Sequence, residues 1–199
     1  MNDKFFDLKS DKQDRIINAS LHLFAVNGYK HASTDDIIKE AGISKGLLFH
    51  YFESKQGLYL FLIDYSVRYL LFEYDRAIGS EKEYFAFHGK LEAAKNNVLR
   101  NYPYMYGFIV KAIDEPQIGL RELQHDAINK YTETMLSYRN RLVLPELKDG
   151  VDMSQIETLI NYTVEGLTKS QLEQDMPDAD LLFNQVDEYI RLIEKLSVK

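Results

Sequence analysis

Pro103, Pro116, Pro145 and Pro177 all fall between segments whose apolar residues recur every three or four positions. A proline inside a helix removes a backbone donor and clashes with the preceding turn, so this placement leaves every predicted helix intact. Sustained period-two alternation is missing. Asn27-Gly28 and Asp149-Gly150 have hairpin-turn chemistry, but neither is flanked by alternating strands. The chain is therefore expected to be all-α, with about nine helices.

The first helix is expected over Asp11 to Val26, with Ile17, Leu21 and Phe24 on one face and Asn27-Gly28 ending it. Ser33 is placed to cap a second helix, with Asp36 three residues on as its capping-box partner, and Gly42 to stop it. Ser44 caps a short third helix. Ser54 caps a long fourth one, from Lys55 into the late seventies, ended by Gly79-Ser80. Further helices are expected near 82–101, 104–113, 118–143, 153–174 and 178–197.

The 199 residues suffice for one domain or two small ones. No apolar run is long enough to span a bilayer, and MNDKFFDLKSDKQD lacks the apolar core of a signal peptide. The absence of cysteine excludes disulfides and thiolate metal sites. A cytoplasmic protein with no membrane partner is the expectation. The net charge of −7 argues against a general nucleic-acid coat, but it is uneven. Residues 1–53 hold 7 Lys plus Arg against 8 Asp plus Glu, so the acidity lies in the rest.

The second helix, Gly42 and the third helix form a helix-turn-helix pattern, whose second helix enters the DNA major groove. The stretch ISKGLLFHYFESK, residues 43–55, fits that role. Leu48 and Phe52 are four apart and are expected to pack inward on Ile37, Ile38 and Phe24, anchoring a helix too short to stand alone. Lys45, Leu47, His50 and Tyr51 then face outward. Gly46 lets the backbone approach the groove wall. Thr34, Ser44 and Lys55 lie at helix N-termini, where free N–H groups favour a phosphate. Lysines commonly serve only as surface charges; Lys45 and Lys55 gain interest from their place beside the motif, and Lys30 less so.

Residues 12–58 resemble the DNA-binding segment of the tetracycline-repressor (TetR) family of bacterial transcription regulators. The matching pieces are Ile16–Ala19, Phe24, Gly28-Tyr29, Ser33-Thr34, Ile37, Ala41-Gly42-Ile43-Ser44, Gly46, Leu48, Tyr51-Phe52, Lys55 and Leu58. The resemblance implies a homodimer that regulates transcription, usually as a repressor, from a partly palindromic operator. It also implies a small-molecule effector bound in the C-terminal part. By position, Thr34 and Lys55 would hold phosphates, and Lys45, Gly46, Leu47, His50 and Tyr51 would lie at the groove. Leu47 stands where the family often has a small polar residue, and Phe49 where it often has Tyr. Leu47 can touch a thymine methyl but cannot hydrogen-bond a base edge, so base preference does not carry over. The implied division is a DNA-binding domain over 1–53 and a regulatory, ligand-binding and dimerisation domain over 54–199.

Gly42-Ile43-Ser44-Lys45-Gly46 matches G-x-S-x-G, but that nucleophile elbow needs a strand before the serine. Here a helix precedes it, and capping explains Ser44. His22, His31, His50, His88 and His125 lack metal-ligand spacing. No catalytic residue, metal or cofactor is expected. The rival reading is a helical ligand carrier or enzyme that keeps the helix-turn-helix only as packing.

In NYPYMYGFIVK, residues 101–111, aromatic rings recur four apart. They serve equally as a packed core or as walls of a cavity, since helical pockets are mostly apolar with a few polar groups. On the cavity reading the ligand contacts are Phe61, Tyr65, Phe87, Leu91, Tyr104, Phe108, Tyr131, Met135 and Tyr162. The ligand would be largely hydrophobic or aromatic. Thr163, Gly166 and Ser170 make a small-residue line that admits another helix. Leu182, Val186, Tyr189, Ile193 and Leu196 keep a 4-3-4-3 spacing suited to a four-helix dimer seam, or to burial within one subunit.

Overall fold

The computed structural model describes residues 3–114, 121–172 and 178–199. Among the described residues a 3-10 helix, Asp3–Asp7, precedes nine α-helices. These are α1 (Ser10–His31), α2 (Thr34–Ala41), α3 (Lys45–Phe52), α4 (Lys55–Ile78) and α5 (Tyr84–Asn101). They continue with α6 (Met105–Asp114), α7 (Arg121–Asn140), α8 (Met153–Leu172) and α9 (Ala179–Ser197). Among the described residues the only β-type pairings are two isolated bridges, so the all-α expectation holds. The N-terminal 3-10 helix has no counterpart among the helices expected from periodicity. Residues 115–120 and 173–177, where the expected ends of the seventh and eighth helices fall, lie outside the described set.

The expected stops act where they were placed. Gly28 breaks the helical path of α1 with φ 70° and ψ 169°, and the last turn continues beyond it to His31. Gly42 and Gly79 take positive φ at the ends of α2 and α4. Glycine enters that region without the steric cost a side chain brings.

The chain packs as two compact units. The first comprises Met1–Leu71 and Asn101–Thr134, the second Phe72–Arg100 and Met135–Lys199. In the first, Ile16, Ile17, Leu21 and Phe24 of α1 are buried with Ile37, Leu48, Leu58, Leu62 and Phe108. The amphipathic face expected of α1 therefore forms. Phe5 is fully buried, edge-on to Phe61 at 5.1 Å and 5.2 Å from Phe52. Helix α6 runs along α1. The Phe108 ring lies tilted 6.3 Å from that of Phe24, Tyr104 lies 4.5 Å from the His22 ring, and Lys111 Nζ donates to Ala25 O and Val26 O. That ammonium donates to two carbonyls in the turn before the kink at Gly28.

In the second unit, Tyr84 and Phe85 of α5 pack with Ile156, Ile160 and Val164 of α8 and Leu182, Val186 and Ile190 of α9. Asn96 and Arg100 both donate to Asp180 at the start of α9. His88 is packed against Tyr84 and Phe87, and burial, with Lys95 nearby, pushes its imidazole down to about 4.

Candidate nucleic-acid interface

Helices α2 and α3 have eight residues each, too few to persist alone, so capping and burial must hold them. Ser33 Oγ accepts from the backbone N–H of Asp35 and of Asp36, at 3.2 and 3.4 Å. Ser44 Oγ accepts from Leu47 N–H at 3.3 Å, and Ser54 Oγ from Gly57 N–H at 3.0 Å. Each cap answers a donor that the first turn leaves open and is worth about 1 kcal/mol. Between the helices Gly42 takes φ 62° and ψ 45°, and Ile43 N–H reaches back to Ile38 O at 3.1 Å. This is the six-to-one bond of a Schellman stop. Arg15 Nη1 donates to Ala41 O, tying the same turn to α1.

Burial then fixes which side of α3 is free. Leu48 and Phe52 are 1% and 6% exposed. With that face turned inward, Lys45, Gly46 and His50 are exposed, and Leu47, Phe49 and Tyr51 are half-buried. A Cβ built on Gly46 would meet nothing within 4 Å, so the fold itself does not require glycine there. Thr34 is half-buried at the first position of α2, and Ser44 is exposed.

Both lysines beside the motif have partners within the chain. Lys45 Nζ pairs with Asp35 Oδ1 at 3.0 Å, between two well-exposed side chains. Such a pair contributes about 0–1 kcal/mol, so it yields readily to a competing anion. Lys55 Nζ donates to Lys30 O at 3.2 Å and lies 5.0 Å above the Tyr29 ring. Desolvation lowers its pKa from the ordinary lysine value.

Residues 16–61, which contain both helices, their caps and the two lysines, match the family described as bacterial regulatory proteins, tetR family. By this match the helix-turn-helix segment is of the tetR type. It is 24% identical over 197 residues to the uncharacterized HTH-type transcriptional regulator YuxN of Bacillus subtilis (strain 168), covering 91% of this chain. This chain spans 64% of that relative's length. The fold is that of solved TetR-type regulators. The ketosteroid transcriptional regulator KstR2 of Mycobacterium tuberculosis superimposes with a TM-score of 0.64 at 17% identity, covering 96% of this chain and 97% of that one. The transcriptional regulator FadR of Bacillus subtilis, in complex with stearoyl-CoA, gives 0.52 at 17% identity, covering 88% and 96%.

The residues expected at a ligand fall in both units. Phe61, Tyr65, Tyr104, Phe108 and Tyr131 belong to the first, and Phe87, Leu91, Met135 and Tyr162 to the second. Phe108 is 1% exposed and packs edge-on to Tyr59 at 5.3 Å, as a core residue does. Phe87 and Leu91 are also buried, whereas Tyr162 is 71% exposed on α8. Tyr65 has a different setting. Its hydroxyl lies 2.8 Å from that of Tyr102, which donates to Asp14 Oδ1 at 2.9 Å. The relay joins α4, the turn between α5 and α6, and α1. Burial and the Tyr65 hydrogen bond raise the pKa of Tyr102, so the phenol stays protonated as a donor.

The expected seam on α9 splits between two faces. Leu182 and Val186 lie in the unit's own core beside Ile190. Ile193 is partly buried against that core, while Tyr189 and Leu196 are 46% and 64% exposed. The outward apolar row of α9 is Leu181, Tyr189, Leu192 and Leu196. On α8, Gly166 and Ser170 are exposed, Thr163 is half-buried, and Leu159 and Tyr162 stand exposed beside them. The 4-3-4-3 spacing admitted either a dimer seam or burial within one subunit, and packing on α8 takes Leu182 and Val186 into the unit's own core.

Proposed function

We propose that the chain is a dimeric, ligand-responsive repressor that reads a partly palindromic operator with α3. The observation that carries this reading is the division of α3. Its inner face is buried almost completely, and its outer face presents Lys45, Gly46, Leu47, His50 and Tyr51 on a capped, rigid support. Thr34, Ser44 and Lys55 hold phosphates at the flanks, where helix N-termini and an ammonium favour anions. Residues 1–53 do the reading, and 54–199 bind effector and partner.

The exposed apolar rows of α8 and α9 support a dimer, because two such helices from each copy bury their rows together. An effector with a large apolar part is the ligand reading, centred on the tyrosines and phenylalanines of α4 to α8. The stearoyl-CoA bound to FadR of Bacillus subtilis is consistent with it. Effector acts by favouring one spacing of the paired α3 helices over another, and a coupling of about 1–3 kcal/mol changes operator affinity roughly 5–150-fold. Helix α4 is the proposed lever, being one continuous helix from Lys55 to Ile78.

The test is selection of sites from a random duplex pool at about physiological salt, with and without cell extract. One enriched, partly palindromic site is expected. No enrichment under either condition refutes the reading and favours the ligand carrier. Sedimentation of the free protein at micromolar concentration checks the dimer; a strict monomer removes it.

A further inference from the structure

Asp35 stands beside the surface that α3 presents. It is the second residue of α2, and its side chain is 73% exposed. Its Oδ1 accepts from Lys45 Nζ at 3.0 Å. Lys45 opens α3 and is the one lysine of that helix. Helix α2 does not need the Asp35 charge in order to start. Ser33 Oγ supplies the cap by accepting from the backbone N–H of Asp35 and of Asp36. Asp36 leaves a second carboxylate in the same turn, and one acid there already complements the helix dipole.

The charge does matter to a duplex. Non-specific affinity comes almost entirely from cations that neutralise phosphates. Residues 33–55 hold the lysines Lys39, Lys45 and Lys55 against the acids Asp35, Asp36, Glu40 and Glu53. The motif therefore offers no net positive charge, and Lys45 meets a duplex already paired. A phosphate bound to that ammonium at hydrogen-bond length would lie at most about 6 Å from the Asp35 carboxylate. Two like charges at that distance in water repel by a factor of about three in affinity, and a pair of reading helices multiplies this to about tenfold. The same contact aims the lysine. An ammonium has three donors; Asp35 takes one and fixes the direction of the others. A lysine held in this way gives up less freedom on reaching a base edge than a free one does. The carboxylate thus lowers affinity for every duplex, and its aim returns the loss only where an acceptor lies in the right place.

We infer that Asp35 is a positioning and specificity-determining residue of the reading surface, one that disfavours random duplex and aims Lys45 at the operator. The inference rests on the reading of α3 as the operator-reading helix.

The test compares the full chain with Asp35→Asn on two probes, the site enriched by the selection above and a random-sequence duplex of the same length. Fluorescence anisotropy across a salt series gives the affinities. Asp35→Asn is expected to bind the random duplex roughly three- to tenfold more tightly at low salt. Its slope of log affinity against log salt is expected to steepen by about 0.9 per reading helix as Lys45 is freed for phosphate. Operator affinity is expected to gain less, so the ratio of operator to random affinity falls at least about threefold. Asp35→Ser removes the charge by a second route and is expected to act alike. Asp35→Glu keeps the charge and is expected to retain the weak random binding of the parent. With Lys45→Ala already present, Asp35→Asn is expected to leave the slope where it was. An unchanged ratio overturns the inference. So does weaker random binding in Asp35→Asn, tighter random binding in Asp35→Glu, or a slope change that persists without Lys45. A parent protein that enriches no site is instead the failure of the operator reading, and ends this inference with it.

Discussion

Replacing Tyr102 by Phe removes one oxygen from the relay that ties α1 to α4 and the turn before α6. The parent hydroxyl makes two hydrogen bonds, 2.9 Å to Asp14 Oδ1 and 2.8 Å to the Tyr65 hydroxyl. Tyr102 is 6% exposed, so its hydroxyl has given up water to make them. A neutral hydrogen bond contributes about 1 kcal/mol net, and one to a charged group about 1.5–3 kcal/mol. Asp14 is exposed and recovers water when the phenol is gone, which discounts the charged bond to the lower end. Tyr65 is half-buried and recovers less. The sum expected for Tyr102→Phe is a loss of about 1–2 kcal/mol, with no cavity term because the ring remains. Urea unfolding followed by far-UV circular dichroism measures it. A cycle with Asp14→Ala isolates the bond, with an expected coupling of roughly 0.5–1.5 kcal/mol. A Tyr102→Phe variant within about 0.3 kcal/mol of the parent, or a coupling near zero, refutes the relay as a structural tie.

Further outcomes follow from other sites. Gly46→Ala is expected to leave unfolding stability unchanged or slightly higher, since nothing lies within 4 Å of the new Cβ, yet to weaken operator binding in a mobility-shift titration. A loss of stability instead would assign Gly46 to the fold. Lys55→Ala is expected to weaken binding to all duplexes and to lower the slope of log affinity against log salt by about 0.9 per recognition helix; an unchanged slope refutes the phosphate contact. Phe5→Ala is expected to cost about 3 kcal/mol, because a fully buried ring against Phe52 and Phe61 is removed. A change near zero would show that the N-terminal turn contributes nothing to the unit. His88 has a folded pKa of about 4 against 6.5 unfolded, so its neutral form stabilises the fold. That contribution is complete above pH 6.5, falls as pH drops toward 4, and amounts to roughly 3 kcal/mol at most. The difference in stability between parent and His88→Gln should shrink over that window; a constant difference contradicts it.

The sequence by itself determined the helices, their ends and the helix-turn-helix, because those depend on residues at most a few positions apart. Ser33, Ser44 and Ser54 cap within three residues, and Gly42 needs only its own φ. The inward turn of Leu48 and Phe52 was legible for the same reason: a helical period fixes which residues share a face. What covers a face is a different question, and only the tertiary structure decided it. Phe5 reads as part of a polar terminus until Phe52 and Phe61, about fifty residues away, are brought against it. Tyr102 and Asp14 are 88 residues apart, and no pattern along the chain connects them. The periodicity of α9 is satisfied equally by burial at home or against a second copy. Packing on α8 buried Leu182 and Val186 at home and left Tyr189, Leu192 and Leu196 exposed.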